Sequence, residues 1–83
     1  MKVELTPLGN NFNQVQVGQV TLWFSYKTCV AFKLPGDSPV VHENIWGPTT
    51  GRHLAQIDGH DKSGRVPAPI FDRALSQAME KGK

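Results

Sequence analysis

Apolar and polar residues alternate through QVQVGQVTLWFSY, Gln14 to Tyr26, on both sides of Gly18-Gln19. A period of two marks half-buried strands, and a two-residue loop with glycine first suits a type II′ hairpin turn. In that register Val17 faces Val20 and Val15 faces Leu22, so turn chemistry and hydrophobic pattern agree. Val3 to Thr6 predicts a short strand before this hairpin, ended by Pro7 and Gly9, and TCVAFKL predicts one after it. Closing the second hairpin around Tyr26 to Thr28 pairs Leu22 with Phe32 and Phe24 with Val30. A turn at Lys27-Thr28 would instead send Val30 and Phe32 to the polar side. One sheet face then carries Val15, Val17, Val20, Leu22, Phe24, Val30, Phe32 and Leu34. The other carries Gln14, Gln16, Thr21, Trp23, Ser25, Cys29, Ala31 and Lys33, and Trp23 is the large apolar residue on that wet face.

After the turn cluster LPGDSP, Val40 to Ile45 predicts a further strand, which Trp46-Gly47-Pro48 ends. TTGRHLAQIDG predicts a short second helix near residues 50–58: Thr49 or Thr50 caps it, Leu54 and Ile57 share a face, and Gly59 stops it. As a strand, only His53, Ala55 and Ile57 alternate, a weaker pattern. His60 to Val66 is polar and reads as a loop. In VPAPIFDRALSQAMEKGK, Pro69 suits a first helical turn, and Ile70, Phe71, Ala74, Leu75, Ala78 and Met79 form one apolar stripe. A helix of about twelve residues is marginal alone, so it must dock on the sheet. The expected fold class is α+β, a small antiparallel β-meander of three to four strands packed by a C-terminal amphipathic helix.

Composition narrows this picture without changing it. At 83 residues, with 39% hydrophobic and 19% charged residues, the chain fits one small folded domain over residues 1–83 with frayed last residues. Cys29 stands alone, so no internal disulfide forms, and a reducing cytosol is expected. MKVELTPLGN lacks the apolar core of a signal peptide, and no apolar run is long enough to cross a bilayer, so no membrane partner is expected. A net charge of +2 admits nucleic acid as a partner but does not argue for it.

Candidate chemistry is sparse. His42, Glu43, His53, Asp58, His60 and Asp61 lack the spacing of a metal motif such as H-E-x-x-H, so neither a metal nor any other cofactor is expected. Cys29 has no flanking signature of a nucleophile and reads as a packing residue, which leaves no catalytic residue. TTGRH is no Walker loop; helix capping explains it better than a phosphate cradle, with Arg52 the residue to test for anions. The wet face offers Trp23 beside Gln16 and Lys33, which could stack a base or anchor a protein interface; Trp46, Arg52 and His53 complete the candidate binding residues. Sheet platforms for single strands display two or three aromatics, and here only Trp23 is clear, so a protein partner is the preferred expectation over nucleic acid. An uncovered sheet face or edge would equally make a homodimer.

NIWGPTTGRHLAQIDG followed by RVPAPIFDRAL resembles a family of small uncharacterised bacteriophage proteins with a W-x-x-T-T-G-[R/K]-H-L block and a closing R-V-x-x-x-x-F helix. The matching positions are Trp46, Thr49, Thr50, Gly51, Arg52, His53, Leu54, Arg65, Val66 and Phe71. The resemblance implies phage origin and expression in the cytoplasm of a bacterial host, and it transfers no catalytic residue. The expectation is a non-enzymatic phage accessory protein that binds a host protein, with single-stranded nucleic-acid binding as the alternative.

Overall fold

A computed structural model of the chain describes residues 2–81. Five strands, β1 (Val3–Gly9), β2 (Phe12–Val17), β3 (Val20–Ser25), β4 (Thr28–Lys33) and β5 (Val40–Val41), form one antiparallel meander in chain order. Two helices follow, α1 (Pro48–Asp58) and α2 (Ala68–Lys81), separated by a 3₁₀ turn at Lys62–Gly64. The fold is α+β, and each segment with a strand pattern takes its place in the meander, five strands against the three to four expected. Among the described residues no helix is long and apolar enough to cross a membrane. The expectation that the last residues fray concerns in part Gly82 and Lys83, which lie outside the described residues.

The first hairpin has the predicted register, Val17 opposite Val20 and Val15 opposite Leu22, with Gly18 supplying the positive φ of its turn. Pro7 does not end β1. It pairs with Asn13, and the strand continues to Gly9. Ladder parity explains this. Val17 and Val20 close a tight hairpin as a bonded pair, so the even-numbered residues of β2 turn their backbone groups to β1 and meet Glu4 and Thr6. The odd residues of β1 therefore face the free edge, where the missing N–H of Pro7 costs no hydrogen bond.

In the second hairpin Leu22 meets Phe32 as expected, but Phe24 meets Cys29 rather than Val30. The chain turns tightly at Tyr26-Lys27 and inserts Val30 as a bulge between the Trp23–Ala31 and Phe24–Cys29 pairs. A bulge moves residues to the opposite face. Cys29 thus packs with the α2 core, whereas Val30 is fully buried in the α1 core. The strand predicted over Val40 to Ile45 is cut to Val40–Val41, followed by one parallel bridge from His42 to Val66. Asn44 bends the chain there: its Oδ1 accepts from the N–H groups of Trp46 and Gly47 at 3.0 and 3.2 Å, and its Nδ2 donates to the Gly47 carbonyl at 2.9 Å.

Both sheet faces are covered. On one, α2 seats Phe71 edge-on against Phe32, ring centres 5.4 Å apart, over Val20 and Leu22. Ile70, placed in the apolar stripe by its spacing, is exposed instead. On the other face α1 buries Leu54 against Val30, Ala31 and Val41, and Trp23 and Ile57 pack on this second core. The face expected to be wet is therefore half closed, because the bulge adds Val30 to it and α1 brings Leu54.

Candidate functional site

Helix α1 starts at Gly47, not at a threonine. Gly47 is the N-cap at φ 138, a backbone state that favours glycine, and Pro48 follows as the first helical residue. Thr49 and Thr50 thus fall inside the first turn, which frees Thr50 to reach the sheet. Its Oγ1 lies 2.9 Å from Ser25 Oγ, and Ser25 Oγ lies 2.7 Å from His53 Nδ1. A relay in which Thr50 donates to Ser25 and Ser25 donates to His53 satisfies all three, with the imidazole proton on Nε2. Ser25 and His53 are 2% and 6% exposed. Phe12 of β2 lies flat on the His53 ring, 4.6 Å between centres and 4° between planes. The knot fastens α1 to β3 with no carboxylate taking part.

Beside the knot opens an uncharged cavity of about 360 Å³, lined by Ser25, Tyr26, Thr28, Val30, Trp46 and residues 47–50. Hydroxyls form part of its wall, and Tyr26 and Trp46, 52% and 40% exposed, stand at it. Trp46 leans on the buried His42 ring at 4.7 Å, and His42 in turn packs on Phe71 at 5.0 Å and shares a 2.6 Å hydrogen bond between its Nδ1 and the Glu43 carbonyl. Tyr26 is held by its backbone: its N–H donates to the Asn11 carbonyl at 2.7 Å, and its φ is 57. A bulky residue in the left-handed region is a strained exception, and such strain gathers at functional positions.

On the far side of Pro48 lies a second cleft of about 660 Å³, lined by Glu43, Asn44, Pro48, Gly51, Arg52, Ala55, His60, Lys62 and Arg65. Gly51 lets the chain close here, since a Cβ in its place would lie 2.9 Å from Asn44 Nδ2. Asp58 holds Arg65 through two bonds, Nε to Oδ2 at 2.7 Å and Nη2 to Oδ1 at 3.1 Å, with both side chains largely buried. Asp61 caps the 3₁₀ turn, and the Ser63 hydroxyl and N–H hold its carboxyl below the usual carboxylate range.

The six residues proposed from sequence do not form one site. Trp23 is half-buried on the α1 core and is not a free platform. Gln16 bonds locally to Thr21 and Gly18, and Lys33 to the Leu34 carbonyl. His53 is inside the knot. Trp46 lines the uncharged cavity and Arg52 the basic cleft, with Pro48 shared between the two. Among the described residues no three His, Cys, Asp or Glu side chains gather as metal ligands. Sequence pattern missed Phe12, Ser25, Tyr26 and Thr50. The signal for Tyr26 was the tight spacing of β3 and β4; Phe12, ahead of the alternating run, had none.

These features define a five-strand meander with a helix on each face and two adjacent openings at the start of α1. Residues 3–73 match a family of unknown function (DUF8033), and the chain belongs to that family. No curated protein and no solved structure matches it.

Proposed function

We propose that the protein is a non-enzymatic phage accessory protein that acts by binding a host protein in the bacterial cytoplasm, and that the contact centres on Tyr26 and Trp46. The observation that supports this is the pair of half-exposed aromatics around an uncharged cavity, with Ile45 63% exposed next to Trp46. Trp and Tyr on rigid supports are the residues that dominate interface energetics. Trp23, under α1, is not the anchor. The knot argues for scaffolding over catalysis: Ser25 borders the cavity but is 2% exposed with its hydroxyl held between Thr50 and His53, and a phenyl ring rather than a carboxylate orients His53.

Capture from nuclease-treated bacterial lysate, with mass spectrometry, tests this reading. Wild type should retain a host protein that both Trp46→Ala and Tyr26→Ala lose, with thermal unfolding nearly unchanged. Retention by both variants would remove the contact from this cavity. A second reading is single-strand binding, with a base between the same aromatics and Arg52 beyond Pro48 on a phosphate; it requires affinity that falls steeply with salt.

A further inference from the structure

The cleft beyond Pro48 is walled by residues 43–44, 48–55 and 60–65, and its basic groups come from the second and third of these stretches. Helix α1 supplies Arg52, the turn after Gly59 supplies His60 and Lys62, and Arg65 stands just before the Val66 bridge. The chain folds back there because Gly59 caps α1 in the left-handed state and His60 follows at φ 72. Ion pairing among the described residues joins Lys2 to Glu4 and Arg65 to Asp58, so Arg52 and Lys62 have no acidic partner. Arg65 is fixed by its fork on Asp58 through Nε and Nη2, which leaves Nη1 without a hydrogen bond among the described residues. Its charge is offset by Asp58, and the cleft retains Arg52 and Lys62 against the single carboxylate of Glu43.

We infer that this cleft is a binding site for a phosphate group. The guanidinium fork of Arg52, which no carboxylate among the described residues occupies, can match phosphate oxygens in pairs, and Arg65, immobilised by Asp58, has Nη1 left to donate at little cost in freedom. Lys62 supplies a compact charge on a flexible stem. The volume, about 660 Å³, admits a phosphate with the group that carries it. Glu43 opposes the ligand and sets a ceiling on affinity. The site goes beyond the Tyr26 and Trp46 contact and does not depend on it.

Amide chemical shifts of the full chain, titrated separately with inorganic phosphate, adenosine monophosphate and oligothymidylate, test the inference. Shifts should concentrate at Arg52, His60, Lys62 and Arg65. Lys62→Ala and Arg52→Ala should each weaken binding about tenfold, the worth of a charge-assisted hydrogen bond, and Glu43→Gln should tighten it. Trp46→Ala should leave binding of inorganic phosphate unchanged, which separates this site from the protein contact. Response to inorganic phosphate or the mononucleotide identifies a free phosphate as the source. Response to oligothymidylate alone, falling with salt, identifies a nucleic-acid backbone. No localised shift with any of the three probes, or binding indifferent to both Arg52→Ala and Lys62→Ala, overturns the site.

Discussion

The two faces of the sheet are covered by helices of similar purpose but different chemistry. Under α2 the contact is mainly apolar, with Phe71 wedged among Phe32, Val20 and Leu22 and the His42 ring against it. Under α1 an apolar half, Leu54 on Val30 and Val41, adjoins a polar half, the Ser25–Thr50–His53 knot. Apolar packing is non-directional and tolerates sliding, whereas a buried hydrogen-bonded knot fixes one register and is costly when half satisfied. Both candidate openings lie along α1, one beside the knot and the other beyond Pro48. The α2 face thus supplies most of the cohesion, and the α1 face holds the residues that surround the openings in place.

The sharpest test of that division is Phe71→Ala. Removing a fully buried aromatic costs about 3–5 kcal/mol, a large share of the stability of so small a domain, and denaturant unfolding should show it. Leu54→Ala should cost somewhat less, about 2–4 kcal/mol, because the knot keeps α1 attached when its apolar anchor is cut back. Equal losses, or a larger loss for Leu54→Ala, would break the comparison. Ser25→Ala comes next, at about 1–3 kcal/mol, from the Thr50 and His53 groups left buried without their partner. Its signature should be uneven: hydrogen exchange quickens in α1 and hardly changes in α2.

How far the sequence revealed these faces follows from which residues act locally. The first hairpin was legible because a glycine-first turn and a period-two pattern converge between Val15 and Leu22. The α1 helix was legible from Leu54, Ile57 and Gly59. What escaped was long-range. Nothing local to CVAF announces that Val30 is extruded as a bulge, yet that one residue exchanges Cys29 and Val30 between faces and turns a wet surface into a second core. The candidate site depended on that surface, so Trp23 looked like a platform when it lies under α1. Trp46 and Arg52 were found because they belong to one block, but their separation by Pro48 into two openings is a property of the folded chain.

Cys29 makes the exchange of faces measurable. On a wet face its thiol would titrate near its ordinary value; within the α2 core, burial pushes it up to about 11 from 9.0. Two pH units lower the thiolate fraction at neutral pH about a hundredfold, so alkylation of native protein should be slower than that of the denatured chain by about that factor. The sign of the linked stability follows. Between pH 9 and 11 the folded chain keeps a proton that the unfolded chain has lost, so stability falls as pH rises through that window. Alkylation of native and denatured protein at equal rates would put Cys29 back on the exposed side.

Tyr26→Gly gives the smallest expected change in stability and separates strain from packing at the cavity. Relief of a left-handed conformation favours the variant by about 1–2 kcal/mol, while the greater freedom of glycine in the unfolded chain opposes it by about 0.5–1 kcal/mol. Lost contact of a half-exposed ring subtracts a little more, so the net change should lie within about 1 kcal/mol of zero. A stability cost well above that would mean that the ring supports the fold and that its strained backbone is balanced by packing. If the change is near zero and partner capture is lost, the side chain contributes to binding rather than to cohesion. Tyr26 would then be strained for the sake of the contact it makes, as expected beside the knot and not under α2.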